Sequence, residues 1–281
     1  MASTSVGRAA HAWRLGVCTW PFGELPLDEI AHRLRTLGFD GVALPGDLER
    51  YRAAEAGRIL ADYGLEVLAL TPDSVDLAHP DAAVRSGALD YYLRFLDFAA
   101  ELGKPFVGCH GCVGRVRALS TVAQERALFG EAVRQIAERA GALGLRLVIE
   151  ALNRYESHLL NTAAEVTAFV AEVGSDHVGI LLDAYHMNIE EADPAAALRL
   201  AGERLWLYHA ADSNRQGIGR GHTDFGAQWA ALADTGYAGP IILECTAPGP
   251  DPFAAIKDEQ SLDWLETYLQ ESRAWLLGIT A

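Results

Sequence analysis

The sequence predicts a (β/α)8 TIM barrel, in which eight parallel strands close into a ring surrounded by helices, built as a single domain. Short apolar, β-branched segments alternate with longer segments of helical periodicity, and eight of each are present. The strand segments are continuously apolar, as expected where helices cover one side and a barrel core covers the other. The 281 residues suit one such barrel, which typically needs roughly 250. A doubly wound open sheet is the alternative architecture.

The predicted elements follow one another in strand-then-helix order, without a linker or a low-complexity run between them. The strands are Leu15–Thr19, Gly41–Leu44, Glu66–Leu70, Phe106–Cys109, Arg146–Glu150, Val178–Asp183, Leu205–His209 and Ile241–Glu244. The helices lie near 27–37, 51–63, 85–102, 122–142, 162–173, 194–202, 227–235 and 259–277. Left-handed helix caps are predicted at six glycines that precede strands: Gly38, Gly64, Gly103, Gly144, Gly174 and Gly236. Residues 13–281 are therefore predicted to form the barrel, and residues 1–12 a flexible tail.

The composition narrows the class of partner. Half of the residues are apolar and 22% are charged, which is typical of a folded globular domain. The formal net charge of −15 argues against DNA or RNA, because nucleic-acid binding depends on Lys and Arg. No apolar run approaches the roughly 20 residues of a membrane span, and the first residues lack the apolar core of an export signal. We expect a cytoplasmic protein with a small-molecule partner and no membrane association.

The cysteines do not predict a further site. Cys18, Cys109, Cys112 and Cys245 are too few and too scattered for the disulfide framework of a small secreted domain. Cys109 and Cys112 form a CxxC pair, but no second pair follows at zinc-site spacing. Reduced thiols are therefore expected in preference to a structural metal or a redox pair.

Each of the last four predicted strands ends in a polar residue: Glu150, Asp183, His209 and Glu244. The site of a TIM barrel lies at this end of the strands, so the four side chains should converge. A single such residue is usually expected to cap a helix or to pair with an arginine. Three carboxyl groups brought together would repel one another, and a bound divalent metal explains the whole set more simply.

The ligand set also indicates which metal to expect. Three carboxylates and one imidazole suit Mn²⁺, Mg²⁺ or Co²⁺ better than a thiolate-rich zinc site would, although zinc stays an alternative. We rank manganese first.

The loops that follow these strands carry further candidates. His186 lies three residues beyond Asp183, beside an expected metal ligand, and is therefore expected in the site. Glu156 lies in the polar segment that follows the fifth strand. Asn153 and Arg154 fit a solvated loop as well as a site. After the seventh strand, glycines separate a run of polar residues: Asp212, Asn214, Arg215, His222 and Asp224. Gly219 and Gly221 lack the full GxGxxG pattern at the start of a helix, so no nicotinamide site is predicted.

Three residues after the first and fourth strands fit either pocket walls or ordinary packing at the barrel rim. They are Trp20, Phe22 and His110. Their residue types alone do not separate the two possibilities.

With these residues the chain resembles the xylose-isomerase-like sugar isomerase/epimerase superfamily, and within it the ketose 3-epimerases that act on D-tagatose and D-allulose. The likeness is dense from about 146 to 247. It implies that one metal is bound by Glu150, Asp183, His209 and Glu244. It also implies substrate contacts by Glu156 in IEALNRYE, His186 in LLDAYHMN and Arg215 in DSNR. Two departures concern the substrate rather than the metal. These epimerases commonly have a glutamate where this chain has Asp212, and a Pro-Gly pair where it has Ile218 and Gly219.

The resemblance further implies a mechanism and an assembly. The metal would hold the C2 carbonyl and the C3 hydroxyl of a free ketose and stabilise an enediolate. Inversion needs a carboxyl group on each face of the sugar, and Glu150 and Glu244 are the expected acid/base pair. Homodimers or homotetramers are expected.

Three other functions stay open at this point. A lyase or dehydratase acting on a keto-sugar or a 3-oxo-glycoside, similar to inosose dehydratase, would use the same scaffold and the same first proton abstraction. A DNA-repair endonuclease would need more ligands and a basic rim, against which the charge of −15 argues. A non-catalytic sugar-binding barrel is the third.

Overall fold

Eight parallel strands form a closed ring in which each strand pairs with the next and β8 pairs with β1. The structure is a computed structural model that describes residues 13–249 and 251–278. The strands are β1 Leu15–Cys18, β2 Gly41–Pro45, β3 Glu66–Thr71, β4 Phe106–Cys109, β5 Arg146–Glu150, β6 Val178–Asp183, β7 Leu205–Ala210 and β8 Ile241–Leu243. The predicted (β/α)8 barrel is confirmed. The predicted tail, residues 1–12, lies outside the described residues.

Every strand begins at the predicted residue and ends within one residue of the predicted end. One of these one-residue differences affects a predicted site residue: β8 was predicted to include Glu244 and ends instead at Leu243. The backbone N–H of Glu244 still donates to the Ala210 carbonyl at 3.1 Å, so the residue continues the line of the strand into the mouth.

The described chain contains nine α-helices, eight of them between strands and one after β8. They are α1 Leu27–Leu37, α2 Ala53–Asp62, α3 Ala82–Glu101, α4 Val122–Leu143, α5 Ala163–Val173, α6 Ala184–Glu190, α7 Pro194–Ala201, α8 Phe225–Asp234 and α9 Glu259–Leu276. The eight predicted helices are present, and α6 is an addition. Its seven residues are too few for a visible apolar period, and it starts directly after β6 with Asp183 as its cap. None of the helices in the described ranges has the length and apolarity to cross a bilayer.

The helix ends and the core agree with the barrel. All six glycines predicted as left-handed caps have positive φ, between 67° and 84°. One apolar cluster lies between strands and helices. A second, smaller cluster takes one or two residues from each strand, like the interior layer of a packed barrel. The four cysteines are free and buried in these clusters.

Candidate functional site

The four polar strand-end residues lie on four neighbouring strands at the C-terminal mouth. Glu150 ends β5, Asp183 ends β6, His209 lies in β7, and Glu244 follows β8. All four are buried, and Asp183 and His209 are direct partners in the β6–β7 register. His209 Nδ1 lies 3.8 Å from Glu244 Oε2. The structure therefore brings together the side chains that the sequence singled out.

The protein groups alone make this cluster electrostatically crowded. Burial raises the pKa of Glu150 to about 8. The charge of His209 acts in the opposite direction, and the charges of Glu244 and Asp183 add to the rise. Burial and the charge of Glu244 raise the pKa of Asp183 to about 7. Burial opposes the charged form of His209, but the surrounding carboxylates, Glu244 foremost, raise its pKa to about 9. A bound cation favours ionised carboxylates and would relieve this crowding.

Unpaired buried atoms test whether the cluster fits a metal. Asp183 Oδ2 and both ring nitrogens of His209 are buried and have no hydrogen-bond partner within residues 13–249 and 251–278. Buried polar atoms of this kind are rare without a partner, because leaving them unpaired is costly. Carboxylate oxygen and imidazole nitrogen are suitable ligands for a divalent ion. The residues present therefore fit a divalent metal.

Cys18 lies beside this cluster, but its thiol is protonated and is not expected to bind the metal. Its Sγ, a His209 nitrogen and a Glu244 oxygen lie within 4.8 Å of one another. Burial, followed by the charge of Glu244, raises the pKa of the Cys18 thiol well above its ordinary range. The protonated thiol donates to Glu244 Oε1 at 3.4 Å. Cys18 is therefore a neighbour that orients Glu244.

The two glutamates have different surroundings. Trp20 Nε1 donates to Glu244 Oε1 at 2.8 Å, and an Arg215 nitrogen donates to Glu244 Oε2 at 3.0 Å. Burial alone would raise the pKa of Glu244, but Arg215 and His209 hold it well below the usual range. Glu150 has no such donor in the described chain, and His186 Nε2 lies 3.9 Å from its Oε1. The protein thus favours the charged form of Glu244 and the neutral form of Glu150.

The three predicted substrate residues line the same cavity. Its volume is about 370 Å³, and Glu156, His186 and Arg215 border it together with Glu150 and Glu244. This size is typical of a small-molecule site.

Asn153 connects two of these residues. Its side-chain nitrogen lies 2.8 Å from His186 Nδ1 and donates to Glu156 Oε1 at 3.0 Å, and its backbone N–H donates to His186 Nδ1 at 3.3 Å. A backbone N–H is always a donor, so Nδ1 accepts and Nε2 of the neutral ring carries the proton. His186 therefore presents a donor near Glu150. Asn153, which the sequence left undecided, acts as the buried brace of this side of the site.

Arg215 is placed by a loop that Asp212 organises. The Asp212 carboxylate accepts N–H groups of Ser213 at 2.7 Å, Gly219 at 2.8 Å and Thr223 at 3.1 Å. The Asp212 carbonyl accepts the Arg215 N–H at 2.7 Å, and Arg215 has a left-handed φ of 59°. Asp212 thus acts on the loop rather than in the cavity.

Aromatic rings surround the Arg215 guanidinium. Its Cζ lies 4.9 Å from the Tyr185 ring, 5.3 Å from Trp20 and 6.0 Å from Phe253. Arg215 Nη1 lies 3.5 Å from Glu156 Oε1, whereas Nη2 is the nitrogen that donates to Glu244. Cation–π contacts and carboxylates together fix this group at the edge of the cavity.

Several residues from the sequence lie elsewhere. Arg154 is exposed and pairs with Glu190 at 2.6 Å. Asp224 caps α8 through the Ala227 N–H, and Phe22 is fully buried in the core. Trp20 and His110 do border the cavity. For these two residues the structure favours the pocket wall over ordinary rim packing, the two possibilities that the sequence left open.

Comparison with known proteins identifies the family. The model of a family described as xylose isomerase-like TIM barrel matches residues 31–273. The chain belongs to this family. A ketose 3-epimerase from Arthrobacter globiformis is 34% identical over 216 residues, 75% of each chain. The 3-dehydro-D-guloside 4-epimerase of Escherichia coli K12 is 28% identical over 248 residues, 83% of this chain and 92% of that protein.

A solved structure agrees with these relatives. The crystal structure of a D-psicose 3-epimerase in the presence of D-fructose has a TM-score of 0.84 and 27% identity, covering 95% of this chain and 99% of that one. This xylose isomerase-like barrel is therefore an enzyme of the ketose 3-epimerase-like sugar epimerase family.

Proposed function

We propose that the protein is a metal-dependent ketose 3-epimerase, which inverts C3 of a free ketose through an enediolate. One divalent ion would be held by Glu150, Asp183, His209 and Glu244, with Mn²⁺ favoured and Co²⁺ or Mg²⁺ as alternatives. The observation that carries the proposal is the set of unpaired buried atoms on Asp183 and His209 between the two glutamates. The similarity to 3-epimerases supports the reaction type.

The residues divide the chemistry between them. A divalent cation bound by the four side chains would polarise the C2 carbonyl and acidify the C3 proton. Glu150 and Glu244 would exchange that proton on opposite faces of the sugar, one removing it and the other returning one. The two carboxylates have different neighbours, since Trp20 and Arg215 donate to Glu244 whereas His186 Nε2 lies 3.9 Å from Glu150.

The remaining groups would hold the sugar in place. His186 Nε2–H is a neutral donor beside Glu150, and Arg215 is a fixed cation beside Glu244. Glu156, which Asn153 and Arg215 contact, would accept a hydroxyl. Such positioning reduces the entropy lost on reaching the transition state.

Isotope exchange tests the proposal. The Mn²⁺-loaded protein is incubated in heavy water with D-fructose, D-allulose or D-tagatose, and the products are examined by NMR. We expect deuterium at C3 and both C3 epimers, loss of both after chelation, and recovery on adding Mn²⁺. Glu150→Gln and Glu244→Gln should each abolish turnover, whereas Glu172→Gln, an exposed residue of α5, should not. Absence of exchange on every ketose, or full turnover by both site variants, would reject the epimerase.

A second candidate is epimerisation at C4 of a 3-oxo-glycoside. The Escherichia coli 4-epimerase, which this chain covers over 92% of its length, favours it. Deuterium entering C4 of such a glycoside, with none entering free ketoses, would support it. The same assay detects the lyase or dehydratase alternative, which releases an unsaturated product.

The expected cytoplasmic location and the homodimer or homotetramer stay predictions. Light scattering of the purified protein measures the assembly directly. Cell fractionation measures the location.

A further inference from the structure

The cavity has a second wall, opposite the cluster of Glu150 and Glu244. The loops after β2, β3 and β4 form it, and it contributes polar side chains that no step of the proposed reaction uses. They are Asp47, Asp73, Ser74 and His110. Because it shares one cavity with the proposed metal ligands, this wall faces whatever molecule binds there.

His110 is the buried member of this wall. It is 8% exposed, and its Nδ1 is buried with no hydrogen-bond partner in the part of the chain that the structure describes. Burial lowers the pKa of His110 to about 4, so the ring is neutral at physiological pH. A neutral imidazole both donates and accepts, which matches the hydroxyl groups of a sugar. An unpaired nitrogen at this depth indicates that a ligand provides the partner.

Asp47 and Asp73 form the outer part of the wall. Oδ1 of Asp47 accepts the N–H groups of Glu49 at 3.1 Å and Arg50 at 2.9 Å, and Oδ1 of Asp73 accepts the Ser74 N–H at 2.8 Å. Neither Oδ2 has a hydrogen bond, and neither carboxylate has an ion pair, within the described ranges 13–249 and 251–278. Each aspartate therefore keeps one oxygen free to accept a hydroxyl.

A buried tyrosine fixes the two aspartate loops relative to each other. Tyr91 Oη donates to the Gly46 carbonyl at 2.9 Å and accepts the Asp73 N–H at 2.7 Å. The Gly46 N–H donates to the Thr71 carbonyl at 2.7 Å. The wall is thus held from behind by a rigid α3 side chain, as a preformed binding surface requires.

We propose that His110, Asp47 and Asp73 form a subsite that binds the terminal hydroxyl groups of the sugar and excludes sugars with a terminal phosphate or carboxylate. The subsite rests on the proposed function, because the metal cluster fixes C2 and C3 on the opposite side.

The charges account for the exclusion. Arg215 is the one Lys or Arg among the described residues that line the cavity, and Glu244 and Glu156 already contact it. An anionic group at the second wall would face two carboxylates without a cation. Both aspartates are exposed, so their repulsion of an anion is screened by salt and is strongest at low ionic strength. Hydroxyl groups gain acceptors at the same wall.

A pair of sugars tests the hydroxyl contact. D-Ribulose matches D-allulose at C3 and C4 but lacks the last hydroxyl-bearing carbon. Calorimetry on the Mn²⁺-loaded protein should give tighter binding of D-allulose. His110→Phe, which keeps the ring size, should weaken D-allulose binding about 3- to 10-fold and D-ribulose binding much less, and His110→Asn should restore part of the difference. Equal losses for both sugars, no loss for either, or no binding by the wild-type protein would overturn the subsite.

A second comparison tests the charge. D-Fructose 6-phosphate should bind about 10-fold or more weakly than D-fructose. Asp47→Asn/Asp73→Asn should narrow that gap, whereas Asp263→Asn, an exposed change on α9, should not. Equal binding of the two sugars, or an unchanged gap in the double variant, would overturn the exclusion. Binding that depends on His110 without deuterium exchange at C3 would reject the epimerase and keep the subsite.

Discussion

The indole Nε1 of Trp20 donates a 2.8 Å hydrogen bond to Oε1 of Glu244, across the seam where β1 meets β8. The same ring stacks on Phe253 at 5.4 Å and 15°, and lies 5.3 Å from the Arg215 guanidinium. Arg215 in turn donates to the other oxygen of Glu244. One tryptophan therefore orients a proposed acid/base group directly and borders the cation that holds its second oxygen.

We predict that Trp20→Phe lowers kcat about 10-fold, because it removes a hydrogen bond to the Glu244 carboxylate and keeps an aromatic ring. One metal per chain should still bind, since the four proposed ligands are unchanged. Steady-state kinetics and metal analysis measure the two effects. Trp206→Phe is the matched control: it removes a 3.2 Å bond to the Glu203 carbonyl at the opposite end of β7, and kcat should stay unchanged. A fully active Trp20→Phe would contradict the role.

The two buried histidines should separate metal binding from substrate binding. His209→Ala should lose the metal, because both ring nitrogens of His209 are without a protein partner in the described chain. His186→Ala should keep one metal per chain and lower kcat/KM about 100-fold, because Asn153 occupies His186 Nδ1 and leaves a donor at Nε2. Metal analysis after gel filtration, with kinetics, measures both.

Loss of the metal from His186→Ala would indicate that His186 is itself a metal ligand. Ligand-type atoms of Glu150, Asp183 and His186 lie within 4.8 Å of one another. If His186→Ala also lost the metal, its Nε2 would be a ligand and the proton would have to be on Nδ1. That outcome would contradict the tautomer inferred from the backbone N–H of Asn153.

Asn153 is predicted to act only through its two neighbours. Asn153→Ala removes the braces of His186 Nδ1 and Glu156 Oε1 and should raise KM about 10-fold with the metal retained. Asn188→Ala on α6 serves as the control, since Asn188 does not border the cavity. A change in metal content, or an unchanged KM, would argue against this role.

The sequence could predict the barrel and the four strand-end residues for the same physical reason. Parallel strands buried on both sides read as apolar runs, so Glu150 and Asp183 at their ends stand out. The hydrogen bonds that orient these side chains cannot be recognised in the sequence. Trp20 and Glu244 are 224 positions apart, and a tryptophan after a strand fits rim packing equally well. The role of Asn153 depends on α6, a helix too short to be predicted.

Away from the cavity, Glu125 is a fully buried carboxylate that fixes the loop after β4. It accepts N–H groups of Leu119 at 2.6 Å and Ser120 at 2.7 Å, and it pairs with Arg115, which also binds Asp76 at 2.9 Å. Burial alone would raise its pKa, but the Ser120 N–H and Arg115 outweigh burial and lower it to about 2. The ionised form therefore stabilises the fold.

The sign of the pH dependence follows from that shift. An unfolded glutamate has a pKa of about 4.3, so the stabilisation by Glu125 is complete above that pH and is lost as the pH falls towards about 2. Glu125→Gln should lower the free energy of unfolding by about 2 kcal/mol at pH 7, because two backbone N–H groups and Arg115 lose a charged acceptor while Arg115 keeps its ion pair with Asp76. Urea unfolding at pH 7, 5 and 4 measures the penalty, which should begin to shrink at pH 4.

An exposed ion pair provides the control for this last prediction. Glu172 is 62% exposed and pairs with Arg126 at 3.2 Å. Because solvent screens such a pair, Glu172→Gln should change the free energy of unfolding by less than about 1 kcal/mol at pH 7. A Glu125→Gln penalty that was equally small, or one that grew as the pH fell, would mean that the hydrogen bonds of Glu125 do not favour its ionised form in the folded protein.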